Sequence, residues 1–323
     1  MKYNRLGPSG AIISKLCLGT MNFGMVTGKE EAFKIMDMAL DYGIDFFDTS
    51  NSYGGYESRG LTERIIGEWF NKHHKRNRVF LGDKVYYVSE KTFFDPNDES
   101  GLSAYKIRRH IEESLRRLQT DHIDLYQMHH IDHKANWLEI WSEINRLYYQ
   151  GNIVYCGSSN FSAYDLAICN NVAKSCNMLG LVSEQHRYNL LCRLPELDMI
   201  PACGKENIGL LVWGPLCAGR LSDHPFDKTD RTRGSHNDFT NKVKNQIEKY
   251  LALCKDNGIN PAQLSLAWIL NNPSVTSVII GPRNSEQLVS CIESLNINVT
   301  DYLEELNAIF PGPGGSAPEV YAW

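Results

Sequence analysis

The sequence predicts an α/β fold in which eight parallel strands close into a (β/α)8 TIM barrel. Eight short apolar runs, bounded by Gly, Asn, Asp or Ser, are the first observation that predicts it. The runs are continuous rather than alternating, which is typical of parallel strands covered by helices. Helical patterns accompany the runs, and eight strand–helix units in 323 residues indicate a barrel. A doubly wound parallel sheet is the alternative for the same alternation of elements.

The eight predicted strands follow one another along most of the chain. They cover residues 16–19, 45–48, 79–81, 123–129, 153–159, 181–185, 209–216 and 275–281. Apolar residues at helical spacing form stripes between or after these runs. The four stripes are Ala32, Ile35, Met36, Ala39 and Leu40; Ile107, Ile111, Leu115 and Leu118; Leu138, Trp141 and Ile144; and Leu288, Ile292 and Leu295. Gly43 would end the first helix, and Asn284 and Gln287 would form a capping pair at the start of the last one.

Three segments lie outside the repeat. Residues 1–14 read as a hairpin that turns at residues 8–10 and covers the bottom of the barrel. Residues 217–240 form a long polar loop with Arg220, Lys228, Arg231 and Arg233, and a loop of that length is usually functional. The tail, 310–323, is rich in Pro and Gly and ends in Tyr321-Ala322-Trp323. We therefore expect one barrel domain over residues 1–323.

The composition disfavours several classes of protein. Lys and Arg number 33 and Asp and Glu 38, so the net charge is −5, whereas nucleic-acid binding calls for a basic surface. No apolar run of about 18 residues is present to span a membrane, and residues 1–10 lack the apolar core of a signal peptide. We expect neither nucleic acid nor membrane as a partner, and the sequence leaves the oligomeric state open.

The nine cysteines indicate a reducing compartment. Their number is odd, no two form a C-x-x-C pair, and several lie in apolar runs. Reduced thiols that serve as small core residues show this pattern, so we expect a cytoplasmic protein. We expect no metal site, because His129, His130 and His133 follow a strand end and do not share one helix face.

Four chemically distinct groups follow the ends of successive strands. The second strand ends in the run 48–54, which contains Asp48 and Tyr53, the third ends in Lys84 and the fourth ends in His129. Strand ends meet at the mouth of a barrel, where active residues of this fold lie. An ammonium group lowers the pKa of a nearby phenol, a carboxylate holds the ammonium in place, and an imidazole orients a carbonyl oxygen. We predict Tyr53 as proton donor, Lys84 as its modulator, Asp48 as the anchor of Lys84, and His129 as the orienting group.

The residues 48–54, Lys84 and His129 resemble the catalytic tetrad of the aldo-keto reductase superfamily. The resemblance runs in order from about residue 3 to 297. Its further motifs are Gly19-Thr20, Gly157-Ser158-Ser159-Asn160-Phe161, Glu184-Gln185 with Tyr188-Asn189, Trp213-Gly214-Pro215-Leu216, and Ile280-Gly281 followed by Gln287. Each motif alone is weak, but the ordered set is specific.

The resemblance implies a small-molecule carbonyl substrate and a reduced nicotinamide cofactor bound across the barrel mouth. Ser159, Asn160 and Gln185 match residues that hold the carboxamide, and Trp213 matches the aromatic ring that stacks on the nicotinamide. The cofactor-binding set is completed by Gly19, Thr20, Asp48, Gly214, Pro215, Leu216, Ala218, Gly219, Arg220, Gly281, Arg283 and Gln287. Arg283 lies beside a helix start, where it could bind a ribose phosphate, and this favours NADPH as the cofactor. NADH is the alternative cofactor, and the alternative for Arg283 is an ordinary surface charge. No G-x-G-x-x-G follows a strand, so a Rossmann site is not supported.

The chain departs from the family pattern at three places. Asp83 replaces a small or hydroxylated residue before the tetrad lysine, and strand alternation predicts that it points out of the barrel interior. Gly214 stands where the family usually has Ser. Ser290-Cys291 stands where it has an acidic residue and Asn, so adenine binding would differ.

Residues 115–132, 310–315 and 317–323 are similar to those of bacterial reductases that act on nucleotide-linked keto-hexoses in deoxysugar biosynthesis. General reductases of aldehydes and aryl ketones share much of this pattern and are the alternative. A second alternative is a cofactor-sensing binding subunit, like the potassium-channel β subunits that resemble this fold. Those subunits have Asn where this chain has His129, which favours the enzyme.

Overall fold

Eight parallel strands close into a barrel in a computed structural model of the chain, which describes residues 1–55, 57–89, 97, 99–223, 240–317 and 320. The barrel strands are β3 (Leu16–Gly19), β4 (Phe46–Asp48), β5 (Phe80–Val85), β6 (Ile123–Met128), β7 (Ile153–Ser159), β8 (Leu181–Arg187), β9 (Gly209–Trp213) and β10 (Val275–Ile280). Neighbours pair in chain order, and β10 pairs with both β9 and β3, so the sheet is closed. The predicted (β/α)8 barrel is confirmed, and the doubly wound alternative is wrong.

Ten α-helices surround the barrel in the described part of the chain. They are α1 (Lys29–Asp41), α2 (Leu61–His73), α3 (Ala104–Leu118), α4 (Trp137–Tyr149), α5 (Ala163–Ser175), α6 (Met199–Glu206), α7 (Asn241–Asp256), α8 (Pro261–Asn271), α9 (Ser285–Glu293) and α10 (Leu303–Ile309). The predicted stripe of α1 is buried throughout, and Gly43 follows the helix with a left-handed φ of 82°. At the start of α9 the side chain of Asn284 accepts from the Gln287 N–H at 2.9 Å.

One predicted stripe is wrong at its first residue. Leu138 is 56% exposed, whereas Ile140, Trp141 and Ile144 are buried. Leu138 is the second residue of α4, and its backbone N–H is capped by the Asn136 side chain at 2.8 Å. The buried face of the helix therefore begins two residues later, where α4 packs onto the sheet.

The N-terminal hairpin closes the bottom of the barrel as predicted. Its strands β1 (Tyr3–Arg5) and β2 (Ile12–Ser14) pair antiparallel. Leu6 and Ile13 are fully buried in an inner cluster with Cys17, Phe46, Leu125, Val182, Leu211 and Ile279. Gly7 has a φ of 51°, and a Cβ there would lie 2.3 Å from the Val182 carbonyl oxygen, so only glycine fits this close approach.

The nine cysteines have no disulfide partners, and seven of them are buried. This confirms their predicted use as small core residues. No helix among the described residues is long and apolar enough to cross a membrane. Of the long loop, residues 217–223 and 240 are described and begin with a short helical turn, Cys217–Gly219. Lys228, Arg231 and Arg233, and the terminal Tyr321, Ala322 and Trp323, lie outside the described residues.

Candidate active site

The buried pair of Asp48 and Lys84 lies at the bottom of the site. The Lys84 Nζ atom lies 2.5 Å from Asp48 Oδ2, and neither side chain is more than 3% exposed. Burial would lower the pKa of Lys84, but the charge of Asp48 and a hydrogen bond with it, together with Tyr53, raise that pKa above its ordinary value. Lys84 is therefore a fixed positive charge inside the barrel.

The other oxygen of Asp48 is held from two further strands. Asp48 Oδ1 accepts from the side-chain amide of Gln127 at 3.1 Å and from that of Gln185 at 2.8 Å. The backbone carbonyl of Asp48 accepts from the Thr20 hydroxyl at 2.9 Å. Strand pairing brings these residues to one level, since Asp48 pairs with Gly82 and Lys84 pairs with Gln127. The Asp48 carboxylate consequently has one orientation.

Tyr53 lies above Lys84 on the loop that follows β4. The Lys84 Nζ atom is 5.0 Å from the centre of the Tyr53 ring. The backbone of Tyr53 is fixed on both sides, because its N–H donates to Ser50 O at 3.1 Å and its carbonyl accepts from Gly60 N–H at 2.9 Å. Gly54 makes this turn possible with a φ of 118°, where a Cβ would lie 2.4 Å from Ser58 O.

His129 stands beside Tyr53 at the end of β6. The centres of the two rings are 6.0 Å apart, and the ring of Tyr87 is edge-on to His129 at 5.2 Å. The His129 Nδ1 atom lies 3.2 Å from the hydroxyl of Ser50. Burial, followed by the charge of Lys84, lowers the pKa of His129 well below its usual value. The imidazole is neutral near pH 7, which suits hydrogen bonding to a carbonyl oxygen.

The four predicted catalytic side chains therefore meet at one place. A phenol, a fixed ammonium and a neutral imidazole surround a space at the mouth of the barrel. A carbonyl oxygen placed there could accept a hydrogen bond from the imidazole and a proton from the phenol. The ammonium would stabilise the phenolate that remains after proton transfer.

A second wall of the mouth is formed by Ser159, Asn160, Gln185 and Trp213. The indole N–H of Trp213 donates to Asn160 Oδ1 at 3.1 Å. The Asn160 amide nitrogen donates to His129 O at 3.2 Å and to Ser159 Oγ at 2.9 Å, and Ser159 Oγ donates to Gln185 O at 2.9 Å. Asn160 holds this position with a left-handed φ of 60°.

The unused hydrogen-bonding capacity of this wall suits a carboxamide. Gln185 uses its side-chain nitrogen on Asp48 and Gln127, and its Oε1 accepts no hydrogen bond from a described residue. Asn160 Oδ1 accepts only from Trp213 and keeps a second acceptor position. The NH2 group of a nicotinamide carboxamide carries two N–H donors and matches these two oxygens. The residues present therefore fit the predicted cofactor.

The loop after β9 has an unusual backbone. Cys217, Ala218 and Gly219 all have a positive φ, between 49° and 89°, and the first two are not glycine. Strained turns of this kind concentrate at ligand sites. Gly214 also has a positive φ, 63°, and its carbonyl accepts from the Asn189 side chain at 2.8 Å. Glycine adopts this left-handed backbone conformation without strain. Pro215, Leu216 and Arg220 belong to the same loop.

The remaining predicted cofactor residues lie at the adjoining rim. Gly19 pairs with Asp48 in the sheet and is packed so tightly that a Cβ would lie 2.7 Å from Ile279 Cγ2, while the fully buried Thr20 donates to the Asp48 carbonyl. The Gly281 carbonyl accepts from the Asn22 side chain at 2.9 Å. Gln287 Oε1 accepts from the Arg283 N–H at 2.9 Å, so this side chain shapes the start of α9.

Two departures from the family pattern place a buried side chain in the protein, Asp83 and Cys291. Asp83 is fully buried, and Glu63 and Arg117, which act on its pKa, come from α2 and α3. As predicted, it points out of the barrel interior, away from the pair of Asp48 and Lys84. Cys291 is buried, and the Ser290 hydroxyl accepts from the Gln263 side chain at 3.3 Å.

Three residues of the site were missed from the sequence. Gln127 holds Asp48, Ser50 contacts His129, and Glu31 accepts from the N–H and hydroxyl of Ser285 at 2.8 and 2.7 Å. Gln127 is a polar residue inside an apolar strand, and this signal could have identified it. Ser50 and Glu31 carry no local signal, because their partners are far away in the sequence.

Comparison with known proteins shows the family of this chain. The model of the aldo/keto reductase family matches residues 15–308. An uncharacterized oxidoreductase, YrpG of Bacillus subtilis, is 47% identical over all of both chains. A putative aryl-alcohol dehydrogenase, AAD16 of Saccharomyces cerevisiae, is 32% identical over 94% of this chain and 96% of its own. Protein tas of Escherichia coli is 29% identical over 97% of this chain and all of its own. The chain belongs to the aldo/keto reductase family and is an NAD(P)H-dependent oxidoreductase.

Proposed function

We propose that this enzyme reduces a small-molecule carbonyl to an alcohol with Tyr53 as proton donor and NADPH as cofactor. One observation carries the proposal: the fixed charge of Lys84, 2.5 Å from Asp48, lies 5.0 Å from the Tyr53 ring, with a neutral His129 beside it. A phenol backed by a permanent cation is a proton donor whose conjugate base is stabilised.

Each residue of the tetrad has its own part in this reaction. NADPH supplies a hydride to the carbonyl carbon when it is bound. Tyr53 gives its hydroxyl proton to the carbonyl oxygen, and Lys84 stabilises the phenolate left behind. Asp48 keeps Lys84 charged and in place. His129 donates a hydrogen bond to the same oxygen and thereby selects the orientation of the carbonyl.

A single hydroxyl deletion tests the donor. Tyr53→Phe should lower kcat by about 10²-fold or more while NADPH binding, followed by protein fluorescence, stays within twofold of the wild type. Tyr148→Phe is the matched control, because this buried phenol on α4 makes no hydrogen bond among the described residues. Unchanged turnover in Tyr53→Phe would contradict the assignment.

The proposed cofactor site uses the second wall and the loop after β9. Ser159, Asn160 and Gln185 would hold the carboxamide of the cofactor, and Trp213 would hold its nicotinamide ring. The loop from Gly214 to Arg220 would hold the pyrophosphate, and Arg283 at the start of α9 would hold the 2′-phosphate of NADPH. Arg283→Met should weaken NADPH binding about tenfold and leave NADH binding unchanged, as measured by fluorescence titration. Equal losses for both cofactors would contradict the phosphate contact.

The aromatic side chains at the mouth favour a flat substrate. Tyr87, 36% exposed, lies edge-on to both His129 and Tyr86, and Tyr53 adds a further ring. Such rings pack well against the faces or edges of an aryl group. We therefore favour aryl aldehydes and aryl ketones over nucleotide-linked keto-hexoses.

The sequence similarity that suggested keto-hexoses has a structural explanation in part. Within residues 115–132, Ile123, Leu125, Tyr126 and Met128 are buried core residues of β6. The tail residues 321–323 lie outside the described part of the chain. Steady-state kinetics with benzaldehyde derivatives and a nucleotide-linked keto-hexose decide between the two classes. A higher kcat/KM for the keto-hexose would overturn our preference.

A further inference from the structure

The contact between Ser50 and His129 is the strongest feature of the site that the tetrad does not explain. Ser50 is fully buried, and its Oγ atom lies 3.2 Å from His129 Nδ1. The opposite ring nitrogen, Nε2, makes no hydrogen bond with any described residue. Under the proposed function, Nε2 is the atom that meets the substrate. The position of the single imidazole proton therefore matters, because only Nε2–H can donate to a carbonyl oxygen.

The surroundings of Ser50 determine the direction of its hydrogen bond. Its Oγ accepts from the Ser52 N–H at 3.3 Å, and the Ser52 hydroxyl, 3.1 Å away, can donate to it as well. When the Ser52 hydroxyl donates in this way, the one hydroxyl proton of Ser50 remains for another acceptor. Nδ1 at 3.2 Å is closer than the Asn51 side-chain oxygen at 3.4 Å and the Lys84 carbonyl at 3.5 Å.

The imidazole ring itself is placed by other groups. The His129 N–H donates to Val85 O at 2.9 Å, and the His129 carbonyl accepts from Asn160 at 3.2 Å. The rings of Tyr53 and Tyr87 pack edge-on against it. Removal of the Ser50 hydroxyl should therefore leave the ring in place and change only where its proton resides.

We propose that Ser50 is a positioning residue whose hydroxyl donates a hydrogen bond to His129 Nδ1 and so keeps the imidazole proton on Nε2. In this tautomer the Nε2–H donates to the carbonyl oxygen of the substrate. In the other tautomer Nε2 presents a lone pair to that oxygen and repels it. The inference rests on the proposed function for its consequence in catalysis, but the tautomer itself can be measured without substrate.

Nitrogen NMR of the full-length protein labelled with ¹⁵N-histidine tests the tautomer. His129→Asn identifies the resonances of His129 by their loss. In the wild type, Nδ1 should resonate as an unprotonated nitrogen and Nε2 as a protonated one. Ser50→Ala should give a mixture of the two tautomers. A protonated Nδ1 in the wild type, or an unchanged tautomer in Ser50→Ala, would overturn the proposal.

Kinetics provide the second readout. Ser50→Ala should lower kcat/KM for an aryl aldehyde about fivefold, the factor that one ordinary hydrogen bond is worth, with unchanged NADPH affinity. Thr49→Val is the matched control, since the buried Thr49 hydroxyl, next to Ser50 in the chain, makes no hydrogen bond with any residue that the structure describes. Equal kcat/KM for Ser50→Ala and an active wild type would overturn the proposal. If the wild type reduces no carbonyl, the proposed function fails, and the NMR experiment still decides the tautomer.

Discussion

Asp83 and Lys84 are consecutive on β5 and face opposite sides of the barrel wall. Lys84 points inward to Asp48, whereas Asp83 faces Glu63 and Arg117 on the helices outside. Both carboxyl oxygens of Asp83 are buried without a hydrogen bond among the described residues. Burial, followed by the negative charge of Glu63, raises the pKa of Asp83 well above its usual value. Burial thus favours the neutral form of the Asp83 carboxyl, and Asp48 is the carboxylate that contacts Lys84.

The raised pKa of Asp83 predicts a loss of stability with increasing pH. The unfolded state releases this proton near pH 4, while the folded state keeps it, so the folded state binds more protons above pH 4. The free energy of unfolding should fall by up to about 1.4 kcal/mol per pH unit until the folded-state pKa is reached. Asp83→Asn should remove this slope in urea denaturation between pH 5 and 8. Asp41 is an exposed carboxylate on α1, so Asp41→Asn should keep the slope of the free energy of unfolding against pH. Parallel profiles for the wild type and Asp83→Asn would refute the prediction.

Replacing only one partner of the ion pair between Glu63 and Arg117 should strongly destabilise the protein. The two side chains are fully buried, and Arg117 Nε lies 2.6 Å from Glu63 Oε2. Arg117→Met leaves a buried carboxylate with Asp83 nearby and should lower the free energy of unfolding by about 3–5 kcal/mol. The double variant with Glu63→Gln should recover much of this loss.

A half-exposed ion pair provides the comparison. Arg108 is 54% exposed and lies 2.8 Å from Glu143, which also pairs with Arg146. Arg108→Met should cost no more than about 1 kcal/mol by urea denaturation. A similar loss in the Arg108 and Arg117 variants would show that burial does not decide the outcome.

Two glycines of the hairpin should differ sharply in their tolerance of a methyl group. Gly7→Ala meets the Val182 carbonyl and a left-handed backbone, so it should destabilise the protein by about 1–3 kcal/mol. Gly10→Ala has no atom within 4 Å of the added carbon and should be neutral or slightly stabilising. Thermal unfolding of the pair measures the difference. Equal melting temperatures would mean that the hairpin does not pack tightly against the barrel.

Glu31 should influence the choice of cofactor. Its carboxylate occupies the first turn of α9 through Ser285, beside the proposed position of the 2′-phosphate. Glu31→Gln removes a negative charge there and should raise the affinity ratio of NADPH to NADH by about two- to fivefold at low salt. Glu30→Gln, one residue away and exposed, should leave the ratio unchanged. A lower ratio in Glu31→Gln would contradict the phosphate position.

The sequence predicted the barrel because its strands are continuous apolar runs, and 16–19 and 153–159 match the observed strands at both ends. The run 79–81 stopped short, since β5 continues through Gly82, Asp83 and Lys84, which are polar or small yet fully inside the protein. The run 209–216 went too far, because the left-handed Gly214 ends the strand at Trp213.

The strand ends were enough to identify Asp48, Tyr53, Lys84 and His129 as neighbours. Hydrogen bonds between residues far apart in the sequence were not predictable. Ser50 and His129 are separated by 79 positions and Glu31 and Ser285 by 254, and in each case nothing near either residue specifies the partner.

The hydrogen bonds of Asp48 also have a consequence for how the protein unfolds. Through Thr20, Lys84, Gln127 and Gln185 this one residue of β4 is linked to the end of β3 and to β5, β6 and β8. None of these five strands can therefore detach locally while the hydrogen bonds of the reacting centre stay intact. Loss of activity and loss of helical circular dichroism should follow one denaturation curve, without an inactive yet folded intermediate.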